Sequence, residues 1–128
     1  MLANEFVIEM DDSPGKLADV CEMLGNHEVN LKAIATDRVG SQRFVRIIVD
    51  NDKRATELFD EADLMYTENS VVVKTIPDTP NALTDIARKL GKEGVNIEAI
   101  YLLSRNGKTV NLVFALDNAQ RGAEVLKG

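Results

Sequence analysis

The sequence predicts an α+β fold made of two copies of a strand–helix–strand–strand–helix–strand unit. Three observations predict it: apolar residues switch between strand and helix periods, two similar loops lie 66 residues apart, and the segments after them repeat. Residues 12–34 align with residues 78–100 without a gap, and 10 of the 23 pairs are identical. Ordinary residue usage gives about one or two. The chain is therefore predicted to be an internal duplication, with repeats over residues 1–69 and 70–128.

The first repeat opens with a predicted strand over residues 3–10, which leads into the loop Asp12-Ser13-Pro14-Gly15-Lys16-Leu17. Apolar residues at i, i+3, i+4 and i+7 then predict a helix that ends near Gly25. The remaining elements are two strands, a second helix and a fourth strand. These are predicted over residues 29–36, 44–49, 52–62 and 64–68.

The second repeat restarts the same order with a strand over residues 71–76 and a loop at Asp78. A helix follows, then strands over residues 95–103 and 109–116 joined by Asn106-Gly107, and a last helix through Leu126. No equivalent of the strand at 64–68 follows it. Either one sheet edge is bare, or the strand from Leu64 onward serves both repeats.

This order of elements is the ferredoxin-like βαββαβ order, which places both helices on one face of an antiparallel sheet. The two repeats are expected side by side in a sheet of up to eight strands. The opposite sheet face is expected to carry Phe44, Ile48, Ile34 and Ile100. An apolar face of that kind favours an interface, and with a bare edge it favours a homodimer.

Composition limits the function classes. The net charge is −6 and the sequence pI is about 4.8, which argues against a nucleic-acid partner. The start of the chain lacks the pattern of a signal peptide and no apolar stretch approaches ~18 residues, so we expect a cytoplasmic protein without a membrane segment. Cys21 is the only cysteine, which excludes an internal disulfide. Neither a metal site, a cofactor site nor a set of catalytic residues is expected.

The chemistry of the loops suits a small anion. Ser13 is predicted as the N-cap of the first helix, Pro14 as its first residue, and Gly15 as the point of close approach to the backbone. Unpaired N–H groups and the positive end of the helix dipole favour a carboxylate. Asn30 and Asn96, each at the start of a strand, offer carbonyl oxygens to an ammonium group.

The motif Asp-x-Pro-Gly-x-Leu, followed by Val29-Asn30-Leu31, resembles that of the ACT domain family of regulatory amino-acid sensors. The second copy, Asp-Thr-Pro-Asn-Ala-Leu with Val95-Asn96-Ile97, is similar to it. The resemblance implies tandem ACT units with an effector held between the loop of one repeat and the second strand of the other. The first implied site comprises Asp12, Ser13, Pro14, Gly15, Lys16, Leu17, Val95, Asn96 and Ile97, with Asp12 as a further acceptor for the ammonium. The second comprises Asp78, Thr79, Asn81, Leu83, Val29, Asn30 and Leu31, with Asp78 in the same role.

The two implied sites are not expected to be equal. Asn81 stands where the first loop has Gly15, and its side chain would crowd a ligand at the backbone. Ala82 stands where the first loop has Lys16, whose charge favours an anionic group. The sequence therefore predicts one strong site at the Asp12 loop and a weak or empty site at the Asp78 loop.

The function predicted from these features is non-catalytic regulation. The protein would bind a small amino acid between its repeats and signal to a partner, either a metabolic enzyme or a regulator. One alternative is an assembly module or regulatory subunit that dimerises through its sheets without any ligand. Another is a regulator resembling the glycine-cleavage repressor type, although the acidic charge argues against direct contact with DNA.

Overall fold

The computed structural model describes residues 1–127, which form six strands and four helices. The α+β class and the repeated strand–helix order are confirmed. No helix in this part of the chain is both long and apolar enough to cross a membrane. The elements in chain order are β1 (Leu2–Asp11), α1 (Lys16–Asn26), β2 (Leu31–Val39), β3 (Gln42–Val49), α2 (Asp52–Glu61), β4 (Met65–Pro77), α3 (Ala82–Lys92), β5 (Ile97–Asn106), β6 (Thr109–Leu116) and α4 (Ala119–Val125).

Backbone contacts divide the chain into two units. The first unit is residues 4–69, in which the strands lie in the order β2-β3-β1 and pair antiparallel. The second is residues 1–3 with the residues from Ser70 onward, in which the order β4-β6-β5 is again antiparallel. Whether residues 1–69 and 70–128 act as separate functional repeats stays a prediction.

Strand β4 corrects the sequence prediction, because residues 64–68 and 71–76 do not form separate strands. One continuous strand, Met65–Pro77, supplies residues to both units. No Gly or Pro lies between Met65 and Ile76, so nothing interrupts the extended backbone. Strand β1 is divided in the same way, since its residues Leu2 and Ala3, with Met1 before them, belong to the second unit. There the Val73 N–H donates to the Met1 carbonyl at 2.8 Å, and the Met1 ammonium donates to the Val73 carbonyl at 3.3 Å.

The core of the first unit lies between its strands and the helices α1 and α2. Phe6, Phe59 and Tyr66 pack edge to face or tilted, with ring centroids 5.2 to 6.0 Å apart. Such pairs contribute about 0.5–1.5 kcal/mol each beyond the area they bury. The fully buried members also include Ile8, Leu24, Val45 and Ile47.

The core of the second unit repeats these positions. Ile86 and Leu90 of α3 are buried where α1 has Val20 and Leu24, and Phe114 of β6 is fully buried. The apolar periodicity of α1 and α3 therefore predicted the centre of each buried face, although Leu83 at the start of α3 is 40% exposed.

The sequence prediction of an apolar outer sheet face was wrong for two of its four residues. Side chains of directly paired residues lie on the same face. Ile34 pairs with Ile47 and Ile100 with Phe114, and both partners are core residues on the helix side. A register shift between residues 31 and 33 accompanies this arrangement of β2. Phe44 and Ile48 alternate with core residues of β3 and do lie on the opposite face.

Two helical glycines give a matched test of packing. A Cβ at Gly91 would meet nothing within 4 Å, whereas a Cβ at Gly122 would overlap Cδ1 of the buried Leu116. We expect Gly91→Ala to raise the free energy of unfolding by about 0.5–1 kcal/mol. Gly122→Ala should lower it by roughly 1–3 kcal/mol, since overpacking outweighs the gain in helix propensity. Urea denaturation measures both, and equal effects of the two variants would contradict the packing of α4 on Leu116.

Candidate functional site

The first loop turns sharply between β1 and α1. The Lys16 N–H donates to the Ser13 carbonyl at 3.3 Å, which closes a turn with Pro14 and Gly15 at its centre. Gly15 has φ 88° and ψ −14°. A type II turn requires a positive φ at this third position, which glycine adopts at no steric cost. Gly15 is also the N-cap of α1, so the assignment of Ser13 as the N-cap and Pro14 as the first helical residue was wrong.

The second loop has the same construction. The Ala82 N–H donates to the Thr79 carbonyl at 3.3 Å, and Asn81 has φ 68° as the N-cap of α3. Asn is among the few residues other than glycine that enter this left-handed region. The two loops therefore share a backbone geometry that their sequences reach with different residues.

The helices that follow these loops start without a side-chain cap. Neither Gly15 nor Asn81 makes a side-chain hydrogen bond to its helix. Asn51 and Asn118, by contrast, cap α2 and α4 by accepting a backbone N–H at 3.0 Å. Within residues 1–127, the backbone N–H groups of Gly15, Leu17 and Ala18 find no acceptor. The start of α1 thus presents free donors in the region where the helix dipole is positive.

A cleft of about 530 Å³ lies against the first loop. Gly15 is open on its side-chain side, since a Cβ there would meet nothing within 4 Å. The cleft therefore allows close approach to the loop backbone. It is lined by Asp12, Ser13, Pro14, Gly15, Lys16, Leu17 and Arg43.

Asp12 is held by two arginines of the β2–β3 hairpin. Arg43 donates to one carboxylate oxygen from Nε at 3.0 Å and from Nη2 at 2.8 Å, and Arg38 reaches the other at 3.4 Å. The hydrogen bonds from Arg43, assisted by the charges of both arginines, hold the pKa of Asp12 below its ordinary value. Asp12 is therefore ionised and already paired, which leaves it poorly placed as the acceptor for a ligand ammonium.

The second loop has fewer cationic side chains beside its aspartate than the first. Asp78 pairs with Arg105, which occupies the place of Arg38 in the β5–β6 hairpin. Arg43 has no counterpart: it pairs with Met10 across the strands, and the residue paired with Ile76 in the second unit is Val110. The clearest difference between the loops, beyond Gly15 and Asn81, is thus an arginine that the sequence reasoning did not assign to the site.

The two asparagines of the predicted sites have matching environments. The Asn30 N–H donates to the Asp50 carboxylate at 2.9 Å, and the Asn96 N–H donates to the Asp117 carboxylate at 3.0 Å. These contacts use the asparagine backbone, and the side-chain amides are exposed without a protein partner in the part of the chain that the structure describes.

The residues beside the asparagines are turned toward the cores. Val29 and Val95 are 3% and 5% exposed, and Leu31 and Ile97 are half-buried against the same clusters. Among the residues at the starts of β2 and β5, the asparagine side chains are therefore the ones available to a ligand.

Each of the two loops lies beside arginine side chains of the hairpin in its own unit. The predicted pairing of the Asp12 loop with Asn96, and of the Asp78 loop with Asn30, joins residues of different units and stays a prediction. Across residues 1–127 no three His, Cys, Asp or Glu side chains gather as they would around a metal ion.

Charge is distributed unevenly between the units. Residues 4–69 hold 15 acidic and 7 basic side chains, for a net charge of −8. Residues 70–128 hold 6 acidic and 8 basic side chains, for a net charge of +2. The overall charge of −6 therefore hides an acidic first unit and a slightly basic second one.

Comparison with known proteins identifies the family. The profile of the ACT domain pair matches residues 8–127, nearly the whole chain. This chain belongs to the ACT domain pair family. The resemblance recognised from the two loop motifs is confirmed. A comparison with curated proteins gave no match.

Solved structures share the fold of this ACT domain pair. Protein BT0572 from Bacteroides thetaiotaomicron is 28% identical, with a TM-score of 0.89 over 99% of this chain and 88% of that one. The regulatory subunit of aspartate kinase from Thermus thermophilus, in its ligand-free form, is 17% identical, with a TM-score of 0.67 over 97% and 89%. The corresponding subunit from Thermus flavus is 16% identical, with a TM-score of 0.65 over 98% and 90%.

The pairing of Arg43 with Asp12 predicts a pH-dependent contribution to stability. Because the folded pKa of Asp12 is lowered from 3.8, the pair stabilises the fold above that pH, and this stability is lost as the pH falls through the folded pKa. Arg43→Gln should therefore destabilise the protein near neutral pH and show a smaller deficit in acid. The free energy of unfolding, obtained by denaturant titration of both proteins near neutral pH and again below the ordinary pKa of aspartate, measures the deficit. Arg38→Gln is the control with a smaller effect, since Arg38 is more exposed and more distant. A deficit independent of pH would show that Arg43 acts through packing alone.

Proposed function

We propose that this ACT domain pair is a non-catalytic regulatory protein of the cytoplasm that binds a small amino acid and signals to a partner enzyme or regulator. ACT domain pairs are regulatory modules, and the fold is shared with regulatory subunits of aspartate kinase. The observation that carries the proposal is the pair of helices that begin without a side-chain cap, in a chain whose other two helices are capped.

The effector's carboxylate would bind at the start of α1. The free N–H groups of Gly15, Leu17 and Ala18 are donors of the kind that hold carboxylates at helix starts, and the dipole of α1 adds to their effect. The cleft beside them leaves room for a small molecule. Ser13 contributes less than the sequence suggested, because its own N–H donates to the Asp11 carbonyl at 2.9 Å.

The effector's ammonium group would be accepted by the side chain of Asn96, which directly precedes β5 of the other repeat. The support is that its amide is exposed and unpaired in this structure, while its backbone is fixed by Asp117. An acceptor whose backbone is held in place loses little entropy when it binds a ligand.

The first loop is the better candidate for the occupied site. Gly15 leaves the backbone open, and Lys16 and Arg43 place two cations at its cleft. The second loop has Asn81, Ala82 and Val110 at the corresponding positions. We therefore propose one strong site per chain.

A ligand-independent assembly module remains the second candidate, and one observation favours it. On the outer face of the first unit, a cavity of about 360 Å³ is bordered by Val7, Phe44 and Met65, and Met65 is 67% exposed. An exposed apolar surface of this kind suits a homodimer or a regulated enzyme.

A thermal-shift screen of the twenty amino acids tests the proposal. At 100 times its dissociation constant, an effector should stabilise the folded protein by about 2.7 kcal/mol, which means several degrees for a protein of this size. A positive result would be a rise with one amino acid or a chemically related group. If none of the twenty raises the melting temperature, the assembly module becomes the better description.

Exchanging the N-cap residues of α1 and α3, Gly15 and Asn81, tests which of the two loops binds the effector. Gly15→Val would strain a backbone with φ 88°, so Gly15→Asn is the milder change, because Asn81 already adopts this conformation. We expect Gly15→Asn to weaken binding of the effector found in the screen, and Asn81→Gly to strengthen the second site. Calorimetry gives the affinity and the number of sites. Two equal sites in the unmodified protein, or unchanged affinity in Gly15→Asn, would remove the first loop from this role.

A further inference from the structure

A second concave surface lies next to the first loop, in the same unit. It is a groove of about 360 Å³ between the end of β1, the first turn of α1 and the start of β4. Its apolar residues are Met10, Val20, Leu64 and Met65. Four carboxylates line it as well, those of Glu9, Asp11, Asp19 and Asp63. We call this surface the acidic groove.

The carboxylates of the acidic groove are largely uncompensated. Asp11 accepts a hydrogen bond from the Gln42 amide at 3.3 Å, but among residues 1–127 none of the four forms a salt bridge. Lys16 is the single cation that lines the groove. The surface belongs to the unit whose net charge is −8, so the surrounding potential is negative as well.

We propose that the acidic groove is the docking surface for a basic segment of the partner protein, with a lysine or arginine side chain lying in it. A side chain of this type has an aliphatic stem, which fits the methionine and leucine side chains, and a charged end, which fits the carboxylates. Complementary charge would give the contact its specificity and speed of association. The inference extends the proposed function, which supposes a partner.

Other occupants fit the groove less well. A metal ion needs converging ligands, and these carboxylates do not cluster in that way. Nucleic acid is repelled by their charge. A second copy of the chain would bring another first unit with a net charge of −8. Its second unit has a net charge of only +2, which is weakly attracted to an acidic surface.

The position of the groove suits regulation. Lys16 lines both the acidic groove and the cleft at the loop, and Asp11 of the groove precedes Asp12 of the cleft. An effector carboxylate that draws Lys16 toward the loop would remove the groove's one cation. The groove would then attract a basic segment more strongly, so effector and partner would bind with positive coupling.

The test uses the full chain and a fluorescent twelve-residue peptide of alternating lysine and leucine as the probe. A peptide of alternating glutamate and leucine serves as the matched control. We expect the basic peptide alone to bind, more weakly as salt is raised. The double variant Asp19→Asn and Asp63→Asn should weaken binding about tenfold, given the strength of exposed charge pairs. Asn tolerates the positive φ of Asp63, so this variant keeps the backbone conformation.

Two controls make the result specific to the groove. Glu22→Gln with Asp52→Asn removes the same charge from the same unit at exposed positions outside the groove, and should change the affinity less than twofold. Asp85→Asn, the counterpart of Asp19 in the second repeat, should have no effect. Equal losses of peptide affinity in the two double variants would overturn the proposal, because the peptide would then respond to the net charge of the protein and not to the groove.

If the peptide competes with self-association of the chain, measured by light scattering, the occupant of the groove is a second copy instead. Failure of the amino-acid screen bears on the effector site alone.

Discussion

The structure depends on a backbone constraint at two positions: the residue before α1 and the residue before α3 must both have a positive φ. This conformation lets Pro14 and Pro80 direct the chain out of a strand and into a helix within a few residues. In this turn the Ser13 and Thr79 carbonyls accept from Lys16 and Ala82, and no side chain caps either helix. The N–H groups of Leu17 and Ala18 in α1 therefore find no acceptor within residues 1–127. The geometry that makes the turn is therefore the geometry that exposes the donors.

The hairpins contribute arginines to the aspartate at the start of each loop. Arg38 and Arg43 lie across the β2–β3 pair from each other, and both reach Asp12 at the end of β1. Their charges neutralise the aspartate and leave the loop cleft with a positive balance. The second unit keeps only Arg105 for Asp78. The two loops therefore share a backbone geometry while the charge around them differs, which supports the proposal of one strong site per chain.

Apolar periodicity and turn residues predicted the features that depend on interactions between residues close together in sequence. The buried centres of α1 and α3, the positions of the two loops and the place of the β5–β6 turn follow from residues near one another in sequence, so periodicity and turn chemistry located them. The turn itself is one residue later than predicted, because Asn106 pairs with Thr109 and leaves residues 107 and 108 between the strands. The N-cap of α1 was misassigned because Ser-Pro is typical of a helix start, whereas the glycine that follows decides in favour of a type II turn. Strand β4 was divided at residues 69–70 because the repeat suggested a boundary there, although no residue breaks the strand.

What the sequence did not predict depends on register between strands. Arg43 is separated from Asp12 by 31 residues, and only the pairing of Met10 with Arg43 brings its guanidinium to the loop. The faces of Ile34 and Ile100 likewise follow from their partners in β3 and β6. The charge asymmetry is of another kind, because it follows from counting charged residues by unit: residues 4–69 carry −8, whereas the whole chain carries −6. In such a unit a carboxylate ligand needs local cations within about a Debye length, ~8–10 Å, to offset the surrounding field. Lys16 and Arg43 meet that need at the first loop. The corresponding residues of the second loop are Ala82 and Val110, and this difference supports the proposal of one strong site per chain more directly than the Asn81 side chain does.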